Sequence, residues 1–172
     1  MSRHRKLISL SVILAMSAQA EAADWQLQPA AGSGGAVLTF GYGDVVSYRF
    51  ECAANEVIVT ETGVTKLLDV KTGSFIGDDS NAVMPAGAAL MALFSGKGDP
   101  QFVPASAVKN PAGGWNLTIR LAKNDKQLKA IGKSKMMSLF TTGYTMAVAM
   151  DGAARAKWSR FMQDCTPPAE LR

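Results

Sequence analysis

Histidine is almost absent from this chain: its 172 residues include one, His4, close to the N-terminus. A Ser-His-Asp or Cys-His relay and the H-E-x-x-H zinc motif each require an imidazole within the folded domain. None of the three is available if that terminus is removed. Cysteine is scarce as well, with only Cys52 and Cys165. They form no C-x-x-C, nothing beside either would lower a thiol pKa, and a bridged pair leaves no thiolate for zinc. Complete phosphate-binding motifs are missing too, since "FGYGDVV" and "SGKGDP" hold glycines without a P-loop or a full G-x-G-x-x-G.

At the N-terminus, Arg3, Arg5 and Lys6 precede an uncharged run, Leu7 to Ala18, that closes on small residues at alternating positions. This is the three-part pattern of a secretory signal peptide, and the run is shorter than the roughly 20 residues of a membrane span. Two small-x-small sites fit, Ala18-Gln19-Ala20 and Ala20-Glu21-Ala22, and the second is favoured. The expected organisation is a signal peptide over 1–22 and a single exported domain over 23–172. Removal of the leader leaves 15 basic and 13 acidic groups. The basic balance thus belongs partly to the leader, and it is not a nucleic-acid signal.

An oxidising compartment makes an even cysteine count a bridge, so the spacing predicts Cys52–Cys165. In "VVSYRFEC", Val46, Tyr48, Phe50 and Cys52 alternate with polar residues as on a half-buried strand. In "GAARAKWSRFMQDC", Ala154, Trp158, Phe161 and Cys165 fall on one stripe of a helix, which Pro167-Pro168 would end. The bridge therefore pins a C-terminal helix to a sheet.

Elsewhere, "QPAAGSGGA" reads as a flexible lead-in, and "VLTFGYGD" as a strand. "YRFEC" and "EVIVTE" flank a hairpin-like connection at Ala53 to Asn55, and "TKLLDV" reads as a further strand. "AALMALFSG" is ambiguous between a buried strand and a turn or two of helix, and "GGWNLTIRLA" alternates cleanly. A short helix over "NDKQLKAIGK" is capped by Asn124 or Asp125 and stops near Gly132, before a last hairpin turning near Thr142-Gly143. The expected fold is mainly β, an antiparallel sheet, sandwich or barrel-like arrangement, with a short helix and a C-terminal helix, α+β overall.

Three local patterns are read as structural rather than chemical. Ser106 to Lys109 matches S-x-x-K and Lys71 to Gly73 matches K-T-G. Their order is reversed relative to the serine β-lactamases, no S-D-N lies between them, and surface loops are the plain reading. Asp78, Asp79 and Asn81 supply oxygen donors without the twelve-residue spread of a calcium loop, so a polar turn is expected. No metal or cofactor is implied, and paired carboxylates cannot be placed because their separation is three-dimensional.

One charge feature stands out. Arg120, Lys123, Lys126, Lys129, Lys133 and Lys135 are accompanied only by Asp125. The segment reads either as a solvated face or as a surface for an anionic partner such as a lipid head group, an acidic wall polymer or an acidic protein. Nucleic acid is disfavoured, because no aromatic residues are interleaved with these lysines.

The C-terminal stretch "LKAIGKSKMMSLFTTGYTMAVAMDGAARAKWSRFMQDC" resembles the end of small exported proteins of the invasion-associated locus B type. Gly132, Lys133, Gly152, Ala153 and Ala156 carry the resemblance, over about a quarter of the expected mature chain. It implies a periplasmic β-rich domain with envelope association and brings no catalytic residue. The N-terminal half lacks the tryptophan and paired-cysteine opening of that pattern. The function expected is that of a non-enzymatic periplasmic or secreted protein binding an envelope component or a protein partner. The alternative is a small periplasmic inhibitor of a wall-degrading hydrolase such as lysozyme, presenting a loop like "FIGDDSN".

Overall fold

Alternating apolar residues dominate the chain, and in the computed structural model they form eleven strands and two helices among the described residues, 23–29, 35–76, 84, 87–141 and 144–165. The expected signal peptide, Asp78, Asp79, Asn81, the Thr142-Gly143 turn and Pro167-Pro168 lie outside them. The order is β1 (Asp24–Pro29), β2 (Ala36–Tyr42), β3 (Val45–Ala53), β4 (Glu56–Val64), β5 (Leu67–Leu68), β6 (Phe75–Ile76), β7 (Ala89–Phe94), β8 (Val103–Lys109) and β9 (Trp115–Ala122). Then follow α1 (Lys126–Ile131), β10 (Met136–Thr141), β11 (Tyr144–Ala149) and α2 (Gly152–Asp164). Nine strands make one antiparallel sheet, ordered β1-β2-β3-β4-β9-β8-β7-β10-β11, and β5 and β6 form a separate small hairpin.

The sheet curls toward a barrel. Its corner is β8, whose first residues pair with β7 (Ala105 opposite Ala89) and whose last pair with β9 (Lys109 opposite Trp115). Pro104 sits in the part that pairs with β7 alone, so its missing N–H is not needed by β9. The curl brings β11 back over β3, and the Tyr48 hydroxyl donates to the Met146 carbonyl at 2.9 Å.

The inward face carries Leu38, Tyr48, Phe50, Val57, Val59, Leu117, Ile119 and Leu139, all essentially inaccessible. Helix α2 is laid over β1 and β2 and presents Ala154, Trp158 and Phe161. Trp158 meets Phe50 edge-on at 5.1 Å between ring centroids, and Phe161 lies 6.3 Å from the same ring. Through Trp25 (6.0 Å from Phe50) and Phe40 (5.1 Å from Trp25), the aromatic contact continues to Tyr48. Cys52 and Cys165 form the expected bridge, with Cα atoms 5.3 Å apart and a sequence separation of 113. The Lys123 ammonium also donates to the Cys165 carbonyl, at the helix end where the dipole favours a cation.

Several sequence expectations change. "QPAAGSGGA" is not wholly a lead-in, because Gln28 and Pro29 close strand β1, whose Trp25 is buried. "AALMALFSG" is a strand, and "TKLLDV" contributes only the two residues of β5. Val46, expected on the buried face, is exposed, because the β2–β3 register shifts between Phe40 and Gly41 and releases the end of β3 from the core. Gly41 makes that shift possible: a Cβ there would sit 2.0 Å from the Val45 carbonyl oxygen.

Reduction of the bridge tests how much the clamp contributes. Closing so long a loop restricts the unfolded chain by about 5 kcal/mol in the ideal limit. We expect denaturant unfolding of the Cys52→Ala, Cys165→Ala variant to show a loss of about 2–5 kcal/mol. An unchanged midpoint would mean that the noncovalent contacts, aromatic packing together with the Lys123 hydrogen bond, suffice to hold α2.

Candidate functional site

The basic residues divide into two groups. Arg120 is ion-paired with Glu56 (3.3 Å) and Lys123 is tied to the end of α2, so both serve the fold. Lys126 and Lys129, on α1, and Lys133 and Lys135, just beyond it, are exposed. The helix ends at Ile131 under Gly132, so Lys133 lies in the closing turn rather than on the helix face that the spacing predicts. Asp125 is the N-cap, its carboxylate accepting from the Gln127 amide at 2.7 Å. The Gln127 side chain accepts from the Leu93 amide (3.0 Å) and docks α1 on β7. Lys97, from the β7–β8 connection, joins Lys126 along a shallow groove of about 170 Å³.

The S-x-x-K match lies on strand β8 rather than in a surface loop, because its small residues pair well at the corner of the sheet. Ser106 is exposed, whereas Lys109 stacks its ammonium 4.1 Å from the Trp115 ring. Three positions apart on a strand, the two point to opposite faces and cannot act together. Lys71 to Gly73 lies in the β5–β6 turn, which closes around the Asp69 carboxylate.

A different residue emerges at the opposite end of β9. There the β2–β3 turn, the end of β4, the β8–β9 turn and Met146 of β11 surround a cavity of about 820 Å³. Glu61 lies in its wall, 2% exposed, and neither carboxyl oxygen has a hydrogen-bond partner among the described residues. Desolvation pushes its pKa from the ordinary 4.5 up to about 8. The Asn116 side-chain oxygen, in the same lining, is also buried and unpartnered. Asp69 shows the contrast. This buried carboxylate accepts from the Lys71 amide (2.8 Å) and the Thr72 hydroxyl (3.0 Å), and the Lys71 hydrogen bond foremost holds its pKa below the usual value.

The local chain geometry opens this end. The β4–β9 register breaks between Glu61 and Val64, a bulge that re-aims the strand end. Gly114, at φ +75°, passes so close to Gly63 that a Cβ would lie 2.9 Å from the Gly63 carbonyl carbon. The Thr62 hydroxyl donates to the Val46 carbonyl and joins the rim strands.

Glu61 is absent from the sequence-based candidates, yet it leaves a signal. In "EVIVTETGV", Val57, Val59 and Glu61 share one phase of the strand, and the register sets Glu61 opposite Tyr48 and Leu117, both buried. A carboxylate in core phase is a mismatch between the strand's burial pattern and the cost of burying its charge.

Glu61 makes stability depend on pH in a defined direction. Between about pH 4.5 and 8 the folded chain keeps the proton that the unfolded chain has lost, so stability falls as pH rises and levels off above 8. The group's full contribution is about 3–5 kcal/mol. Thermal melts of wild type and Glu61→Gln from pH 5 to 9 should diverge with rising pH, the variant being the flatter. Parallel curves would show that Glu61 ionises freely. Comparison with protein-family models, curated proteins and solved structures finds no match, so the functional reading rests on the chain's own residues.

Proposed function

We propose that this chain is an exported, non-enzymatic binding domain that recognises an anionic envelope component or an acidic protein partner. The observation that carries the reading is the exposure of Lys126, Lys129, Lys133 and Lys135 on one short helix and its closing turn. Among the described residues none of the four has an ion-pair partner, so their charge is directed to solvent. Lys97 extends the surface. The N-terminal leader pattern and the resemblance to proteins of the invasion-associated locus B type favour a periplasmic or secreted setting. Envelope polymers and head groups there present dense negative charge.

The supporting framework is stiff. Helix α1 buries Leu128 and Ile131, is capped by Asp125 and is docked through Gln127, so its lysines project from a fixed base. Exposed charges of this kind set association rate and salt sensitivity more than raw affinity.

The test is capture from a periplasmic and outer-membrane extract on the immobilised, oxidised protein, eluted in a salt gradient. A defined partner released at moderate salt is expected from wild type. The K126Q/K129Q/K133Q variant should retain at least tenfold less of it. Equal retention with the same elution salt would remove these lysines from the function.

A further inference from the structure

Cavity, burial and charge converge at the end of the barrel away from the lysines. The chain as a whole is net basic, yet no lysine, arginine or histidine is among the described residues lining the 820 Å³ cavity, while Asp44 and Glu61 are. The polar groups left without partners there, both Glu61 oxygens and the Asn116 side-chain oxygen, are all capable of accepting hydrogen bonds. Val45 and Val46 are exposed at the mouth. Unsatisfied acceptors buried in the cavity wall and apolar side chains at its rim call for a ligand with a donor-rich head and an aliphatic body.

We propose that this cavity binds a small organic cation bearing N–H donors, an alkyl amine or alkyl guanidine, with Glu61 as its counter-ion and Asn116 as a second acceptor. The volume lies in the range of small-molecule sites and is far larger than one metal ion needs. Among the described residues no cluster of three or more His, Cys, Asp or Glu side chains is placed to hold a metal. An anionic or purely acceptor ligand would face like charge and leave the same oxygens unpaired.

The titratable groups around Glu61 are few. Asp44 is exposed on the β2–β3 turn, and Tyr48, directly opposite on β3, commits its hydroxyl to Met146. The β8–β9 turn, β9 and β11 contribute Asn110, Asn116 and Met146 to the lining. Glu61 must ionise to pair with the cation, so each binding event below about pH 8 releases a proton. A guanidinium stays charged throughout, so affinity should rise by up to about tenfold per pH unit toward pH 8 and then level off.

The experiment uses the full oxidised protein, isotopically labelled, titrated with n-butylguanidine, its neutral isostere n-butylurea and the anion valerate. Saturable shifts of the Thr62, Gly63 and Gly113 amides are expected with n-butylguanidine, with affinity rising from pH 6 to 8. The Glu61 carboxyl should titrate at lower pH when the ligand is present. Butylurea and valerate should bind at least tenfold more weakly, and Glu61→Gln should lose both the affinity and its pH dependence. Equal binding of butylurea, no saturable shift at tens of millimolar, or an unmoved Glu61 titration would overturn the proposal. The wild-type comparisons decide the matter even if the variant fails to fold. Because the lysines lie at the other end of β9, this outcome is independent of the envelope-capture result.

Discussion

The packing of Trp158 and Phe161 onto Phe50 is the contact on which the other features depend. A curled sheet of nine antiparallel strands has a concave apolar face, and that face must be covered. Helix α2 covers it at one end, and the Cys52–Cys165 bridge and the Lys123 hydrogen bond keep its C-terminus there. The helix cannot slide along the concave face, because its C-cap, Cys165, is covalently tied to the end of β3. The filled and open ends of the barrel are thereby decided together. Where α2 does not reach, the strand ends splay around a cavity.

Polar chemistry is divided along the same axis. Near the clamp, basic groups either serve the fold, as Arg120 and Lys123 do, or project from α1 into solvent. At the open end the polar atoms left buried without a protein donor are all acceptors, the two Glu61 carboxyl oxygens and the Asn116 side-chain oxygen. The two buried carboxylates show how much local backbone matters. Asp69 lies inside a turn whose amide and hydroxyl stabilise its charge, whereas Glu61 lies on a strand whose backbone donors are committed to its neighbours. Burial without donors favours the neutral form, and a ligand able to supply donors reverses that preference.

Element types were legible in residue order wherever one face met water. The alternation of Trp115, Leu117, Ile119 and Leu121 marks β9, and Ala154, Trp158 and Phe161 mark α2, because period-2 and period-3.6 burial are imposed residue by residue. Where the signal was weak, it was missed for identifiable reasons. Strand β8, with Ala105, Ser106 and Ala107 beside Pro104, has little hydrophobic contrast, since a strand at a corner leaves room only for small side chains. The short β1 owes its place to pairing with β2 and to Trp25 reaching Phe40.

Local chemistry thus determined the cysteine pairing, the two helices with a cap at Asn124 or Asp125, most strands and the basic segment, because each depends on neighbours close in the chain or on a choice with few solutions. Long-range geometry decided the rest. How far the sheet curls, which end α2 fills, and that Glu61 meets Tyr48 and Leu117 beside a cavity rather than water all depend on strands far apart in sequence. A glutamate's charge state follows from what surrounds it, and those surroundings exist only once β3, β4, β9 and β11 have converged.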